Sequence, residues 1–235
     1  MDVIVLAKEP VPGRVKTRLC PPCTPGEAAA LAAAALADTL AAARASGADR
    51  VVLALDGRPG AWCPPGVEVV PQGAGPLNRR LAAAWSATPG PAVQVGMDTP
   101  QVTAADLDRA LDALAGDGIG AVLGPAADGG WWAIGLRRPH PEAFAGVPMS
   151  RADTGARQLA RLEALGLRTA LLPVRTDVDT WTDALAVADA APATRFAAAV
   201  RALAAGRPAV GPAGGQTPAR PAPVVPAGRA GRGPA

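Results

Sequence analysis

Four short segments carry side chains whose types and spacing could do chemistry. The first is Lys8-Glu9-Pro10-Val11-Pro12-Gly13-Arg14-Val15-Lys16-Thr17-Arg18, directly after the apolar run Val3 to Ala7. Its prolines and glycine stiffen a loop and let backbone N–H groups approach a ligand. Arg14, Lys16 and Arg18 alternate, so in an extended loop they project to one side. Converging cations suit a diphosphate or triphosphate, although the same residues also compose a solvated basic loop. The G-x-x-x-x-G-K-[ST] spacing of a P-loop is absent.

The second segment is Gly96-Met97-Asp98-Thr99-Pro100, where Asp98 ends an apolar run. A carboxylate there can hold Mg²⁺ or Mn²⁺, hard ions that take few protein oxygens and the rest from phosphate and water; a turn-forming Asp before Pro is the plainer alternative. The third is Asp128-Gly129-Gly130-Trp131-Trp132. Asp-Gly-Gly ahead of a β-rich run is by itself a hairpin turn. The paired tryptophans, in a chain with 3% aromatics, add a flat ring that can pack on a sugar or base. The fourth is Thr176-Asp177-Val178-Asp179-Thr180, whose two acids share one side of an extended segment and also sit ahead of a helix N-terminus. Asp98 and this pair together would form a Mg²⁺ site.

Cys20-Pro21-Pro22-Cys23 has the spacing of a redox pair or half a zinc site. Zinc needs two more ligands, and the chain offers only Cys63 and His140, both in Pro-rich segments. A redox Cys-x-x-Cys should open a helix, whereas here the helix cap follows at Thr24.

The elements that must position these groups alternate. Strands are expected at Val3–Ala7, Arg50–Leu55, Val67–Pro71, Ala92–Met97, Ala121–Gly124, Trp131–Leu136 and Arg168–Pro173. Helices are expected from the Thr24 capping box to Ser46, over Leu77–Ser86, from the Thr103 cap to Ala115, over Thr154–Gly166, after the Thr180 cap, and over Pro192–Ala205. Strand then helix, repeated, predicts parallel strands with helices on both faces. In such sheets ligands bind beyond the carboxyl ends of the strands, where all four segments fall.

Composition narrows the classes. Residues 206–235 hold seven Gly, seven Pro, four Arg and no acid, a mixture that cannot bury enough apolar surface to order itself and is expected to be a disordered tail. The tail accounts for the net charge of +3: without its arginines the body has 19 cationic against 20 acidic side chains. A body with no basic excess is a poor nucleic-acid binder. The long Ala/Leu run at 28–43 contains Asp38 and is followed by Arg44, which argues against a membrane span. Three cysteines and an acidic start predict a cytoplasmic protein with one domain at 1–205.

Taken in order, Ala-Lys-x-Pro-x-Pro-Gly-Arg-Val-Lys-Thr-Arg-Leu (Ala7–Leu19), Gly-x-Asp-x-Pro (Gly96–Pro100), Leu-Gly-Pro-x-x-Asp-Gly-Gly (Leu123–Gly130) and Asp-Val-Asp-Thr (Asp177–Thr180) resemble a bacterial family named for glycosyltransferases or nucleotide-diphospho-sugar transferases. The resemblance covers residues 1 to about 200. It implies the glycosyltransferase-A fold, a Rossmann-like mixed sheet in three α/β/α layers, and likeness to molybdenum-cofactor and phospholactate guanylyltransferases. It implies a nucleotide and phosphate site at Ala7, Lys8, Gly13, Arg14, Lys16, Arg18 and Arg80. Asp98 would be the main metal carboxylate and Asp179 the second; Asp98, Lys16 and Asp128 would be catalytic. The acceptor side would comprise Asp128, Gly129, Gly130, Trp131, Trp132 and Asp177. The expected activity is Mg²⁺-dependent glycosyl transfer from an NDP-sugar to a small-molecule acceptor. Nucleotidyl transfer from an NTP to a phosphorylated acceptor is the alternative, and a non-catalytic nucleotide-binding module a third. The chain departs from the pattern within Gln72–Leu81, where an acidic residue and a Leu-Gly-Glu-Arg core are expected and Leu77 and Arg80 match but Asn78 and Arg79 do not, at Trp131-Trp132 in place of tyrosines, and at Met149-Ser150-Arg151.

Overall fold

The computed structural model describes residues 1–206; the tail expected from 206 onward lies, but for Gly206, outside the described residues. Strand β1 (Asp2–Lys8) has Val3, Ile4 and Val5 wholly buried. A run hidden on both faces needs cover from both sides, and each such side chain contributes about 1.5–3 kcal/mol by leaving water. Around β1 lie β2 (Arg50–Asp56), β3 (Glu68–Pro71), β4 (Ala92–Gly96), β5 (Ala121–Pro125), β6 (Trp131–Leu136) and β7 (Thr169–Leu171). They form one seven-stranded sheet in the order β3-β2-β1-β4-β6-β5-β7.

The sheet is mixed. β6 runs antiparallel to both β4 and β5, and the other pairs are parallel. Strand-helix alternation predicts parallel strands throughout, and it fails at β6 because the five residues between β5 and β6 are too few for a helical crossover. Asp128-Gly129-Gly130 is thus the turn of a hairpin. The reversal matters for the site: β6 begins at the edge where β1, β4, β5 and β7 end, so Trp131 enters that edge from the start of its strand.

Helices α1 (Pro25–Ala45), α3 (Ala104–Ala115) and α5 (Trp181–Ala190) each open with a full capping box, at Thr24/Glu27, Thr103/Asp106 and Thr180/Asp183. The remaining helices are α2 (Leu77–Ala84), α4 (Thr154–Ala164) and α6 (Arg195–Ala205). One sheet face, with Val3, Val5, Leu53 and Val93, packs on α1 and α3. The other, with Ile4, Ala54, Leu123 and Ile134, packs on Leu81, Trp85, Phe144 and Leu162. A third cluster joins the far side of α1 to α5 and α6 through Leu31, Val187, Phe196 and Val200. α1 is long and apolar enough to cross a membrane by length and composition, and half of its most apolar stretch is buried inside this fold. Its Asp38, 9% exposed, accepts the N–H groups of Arg195 (3.1 Å) and Phe196 (2.8 Å), so it caps α6 from a neighbouring helix.

Candidate functional site

The carboxyl ends of β1 and β4 and the start of β6 open onto a cleft of about 700 Å³. The basic loop forms one rim. It is not extended: Val15 turns inward and is buried, Lys16 takes a left-handed conformation (φ 49°), and Thr17–Leu19 close a 3₁₀ turn. Arg14, Lys16 and Arg18 still converge on the cleft, but through this turn rather than by alternation along a strand. A lysine at positive φ is held there against its own preference by the surrounding structure, a feature common at ligand sites.

Lys16 is the centre of the arrangement. Its side chain is 8% exposed, and its Nζ lies 2.5 Å from Asp98 Oδ1 while also donating to the carbonyl of Val178. The Val178 N–H donates to the Asp98 carbonyl at 2.9 Å. The end of β4 and the segment after β7 are therefore stitched together around one ammonium. Arg18 pairs with Asp179 at 2.9 Å. Asp177 lines the same cleft and differs from both acids. One of its carboxylate oxygens is buried with no hydrogen-bond partner. Burial, and then the charges of Asp98 and Asp128, push its pKa up to about 7, against the opposing pull of Lys16.

The opposite rim is the β5–β6 hairpin and the loop ahead of α4. Asp128 accepts the Gly130 N–H at 2.8 Å, which folds its carboxylate over the turn. Gly129 stands behind, at φ +88°, where an added Cβ would lie 1.9 Å from the Ala152 carbonyl oxygen. Gly155 presses on Gly130 from the first turn of α4, where an added Cβ would lie 2.4 Å from the Gly130 carbonyl oxygen, and it donates its N–H to the Gly129 carbonyl at 2.8 Å. The hairpin and α4 meet backbone to backbone, which only glycine allows. Trp131 is half-buried beside Phe144, ring centroids 6.3 Å apart. Trp132 is 3% exposed, with its indole N–H fixed on the Pro173 carbonyl at 3.0 Å. The two tryptophans thus split the work: Trp131 offers a face to the cleft and Trp132 belongs largely to the core.

Ala7, Lys8, Arg14, Lys16, Arg18, Arg80, Asp98, Asp128, Gly130, Trp131, Trp132, Asp177 and Asp179 all line the cleft. Gly13 and Gly129 shape turns behind it. Met149, Ser150 and Arg151, the departing segment, complete the hairpin-side wall. Asp177 feels the charges of Asp98 at the end of β4 and of Asp128 on the hairpin rim. Among the described residues no disulfide links the cysteines: Cys23 is buried in the third cluster, and Cys20 and Cys63 are half-buried. His140 accepts the N–H of Glu142 in a loop outside the cleft lining. Asp56 was not singled out by its sequence context, although it ends β2 as Asp98 follows β4, and the same rule would have found it.

The donor set suits a divalent metal. Asp98 and the orphaned oxygen of Asp177 are hard ligands, which Mg²⁺ and Mn²⁺ prefer. No three His, Cys, Asp or Glu side chains among the described residues converge closely enough to cage an ion. An ion here would therefore complete its shell with phosphate oxygens and water, as Mg²⁺ usually does.

Three comparisons bear on kinship. No curated protein matches the chain. It superimposes with a TM-score of 0.77 on a protein from Desulfovibrio desulfuricans G20, provisionally named a nucleotide-diphospho-sugar transferase, at 26% identity over 87% of this chain and 95% of that one. The fold is shared with a cytidylyltransferase from Leptospira borgpetersenii (TM-score 0.53, 14% identity, 86% and 93% covered). It is shared likewise with a nucleotidyl transferase from Methanothermobacter (TM-score 0.53, 17% identity, 81% and 97% covered). The family model described as "Uncharacterized protein conserved in bacteria (DUF2064)" matches residues 28–151, more than half of the sequence, and the chain therefore belongs to that family.

Proposed function

We propose that the protein is a metal-dependent transferase acting on an activated nucleotide, and that it transfers a sugar from an NDP-sugar to a small-molecule acceptor. The observation that carries this is the Lys16–Asp98 contact at the carboxyl edge of the sheet. It sits between a cationic rim and a rim bearing an aromatic face and a carboxylate. The name of the Desulfovibrio relative points the same way.

In this reading Arg14, Lys16 and Arg18 bind the donor's diphosphate and stabilise the negative charge that grows on it as the sugar departs. Asp98 would hold Mg²⁺ or Mn²⁺, with the unpartnered buried oxygen of Asp177 as a second ligand beside the Asp179 expected from sequence. The ion, when bound, supplies further neutralisation of the leaving diphosphate. Trp131 stacks against the acceptor or the sugar, and Asp128, in reach of the same rim, takes the proton from the acceptor hydroxyl.

Nucleotidyl transfer is the second reading, favoured by the three cations on one loop, which match the charge of a triphosphate. A product assay separates the two. Release of NDP from an NDP-sugar in the presence of Mg²⁺ and candidate acceptors supports sugar transfer. Pyrophosphate released from an NTP only with a phosphorylated acceptor moves the assignment to nucleotidyl transfer. Neither product from a full panel overturns both.

A further inference from the structure

A second recess of about 480 Å³ lies at the ends of β1, β2 and β3, lined by Lys8, Asp56, Gln72, Gly73, Gly75 and Arg80. Lys8, Gln72 and Arg80 also line the main cleft, so the recess opens beside the basic loop. Gln72 organises it. Its amide nitrogen donates to the carbonyls of Ala7 (3.1 Å) and Ala54 (3.3 Å), and its Oε1 accepts from Arg80. The backbone N–H of Gln72 donates to Leu55 at 2.8 Å. One side chain thus staples three strand ends and aims a guanidinium into the recess.

Two groups in this recess lack their complement. The Nε of Arg80 is buried with no hydrogen-bond partner, on a side chain only 18% exposed. The carboxylate of Asp56 accepts no hydrogen bond among the described residues, and its nearest cation is Arg80 at 3.7 Å. The backbone of Asp56 is nonetheless fixed in place, with its side chain 44% exposed toward the recess mouth. It is in register with Lys8, and its carbonyl accepts the Glu9 N–H at 2.8 Å, while Glu9 accepts the Arg58 N–H at 2.9 Å. The result is a donor held by Gln72 beside a half-exposed two-oxygen acceptor on a fixed backbone, next to the loop expected to hold phosphates.

We propose that this recess reads the base of the nucleotide and that Asp56, with Arg80 beside it, selects guanine. The inference rests on the nucleotide-transferase reading above and adds the substrate's base to it. Guanine presents one carbonyl oxygen, the ring N1–H and the N2 amino group along a single edge. The carboxylate of Asp56 can accept both N–H groups as a two-point charged pair, and Arg80 can donate to O6. Uracil has one N–H between two carbonyls, so one carboxylate oxygen would face a carbonyl. Adenine and cytosine turn a ring-nitrogen lone pair toward the carboxylate. A site built around hydrogen bonds rejects analogues that leave its polar groups unpaired.

The departing segment Gln72–Leu81 then has a physical reading. Both amide N–H groups are committed to backbone carbonyls, so Gln72 is a positioning residue for Arg80, and Asp56 supplies the acid that reads the base.

The test is a binding titration by calorimetry with Mg²⁺ and five probes, GTP, XTP, UTP, CTP and ATP, on wild type and Asp56→Asn. GDP-mannose and UDP-glucose run alongside, to tell a free triphosphate from a nucleotide-sugar as the ligand. The expected result is GTP or GDP-mannose bound at least about tenfold tighter than its counterparts with other bases, a preference that one lost two-point contact can carry. Asp56→Asn should lose that preference and gain XTP. The new amide N–H meets the xanthine O2 that replaces the guanine amino group, a swap that a merely structural residue would not produce. Nucleotides that bind without base preference, or a guanine preference that survives Asp56→Asn, overturn the base assignment and leave the transferase reading standing. No binding by any nucleotide overturns both.

Discussion

The ammonium of Lys16 lies 2.5 Å from Oδ1 of Asp98, so the cation expected to bind phosphate and the carboxylate expected to bind metal neutralise each other in the ligand-free protein. Arg18 and Asp179 repeat the relationship at 2.9 Å. A metal ion must displace Lys16 from Asp98, and a phosphate offers Lys16 a new partner. Metal and nucleotide should therefore bind cooperatively, each removing the other's competitor.

Lys16→Ala separates the two halves of this coupling. Mn²⁺ alone should bind the variant more tightly than wild type, because Asp98 loses its internal cation. Nucleotide affinity should fall, and turnover should drop by roughly 10²–10³, the scale of one lost charge-stabilising group in a transition state. Calorimetry with Mn²⁺ alone and with nucleotide plus Mn²⁺ checks both directions.

Asp177 sets a pH dependence. Its pKa is about 7 in the folded protein against an ordinary 3.8, so the folded state holds a proton that the unfolded chain has lost. Stability of the metal-free protein should fall as pH rises from about 4 through about 7 and then level off. Asp177→Asn should flatten this window and be the more stable protein at pH 8. Apparent metal affinity should rise over the same interval, since the proton and the ion compete for one carboxylate. Thermal melts from pH 5 to 8, with EDTA or Mg²⁺, read all three effects.

The hairpin clamp predicts a loss at the acceptor rim. Gly129→Ala drives a methyl group into the Ala152 carbonyl from a backbone at φ +88°. It should cost roughly 2–4 kcal/mol, and nucleotide binding should survive better than transfer to acceptor, because the phosphate loop lies on the other rim. Denaturant unfolding and a comparison of binding with turnover check this.

Asp38 supplies the control. Its carboxylate caps α6 while buried, outside the cleft lining. Asp38→Ala should destabilise by about 2–4 kcal/mol and leave the nucleotide affinity of the folded protein unchanged.

Much of this fold was legible in sequence. Three capping boxes placed helix starts to the residue, because Thr24, Thr103 and Thr180 each meet an acid three positions on. The strand-end rule found Asp98, Asp177 and the basic loop, since polar residues abutting apolar runs are visible in one dimension. The direction of β6 was less legible: strand patterning carries no sign, and only the shortness of the connection implies reversal. The Lys16–Asp98 contact was hidden because it joins residues distant in sequence through a left-handed turn, and the Gln72–Arg80 contact because it depends on Gln72 being held by the ends of two neighbouring strands. Asp56 obeys the strand-end rule as well, but its context favours a plainer reading. Asp-Gly after a strand looks like a turn, and its partner Arg80 arrives from a helix 24 residues later.

The measurement that tests the central claim most directly is thermal stabilisation by nucleotides and NDP-sugars on wild type and Asp98→Asn, each with Mg²⁺ or EDTA. Ligand at 100 times its Kd should add about 2.7 kcal/mol to wild type with Mg²⁺. The account predicts that this shift disappears with EDTA and in Asp98→Asn, each read against its own ligand-free melt, because the variant also takes the charge partner from the buried Lys16 and melts lower than wild type. A shift of equal size in EDTA and in Asp98→Asn would contradict it, leaving a cleft that binds nucleotides without the metal chemistry assigned to Asp98.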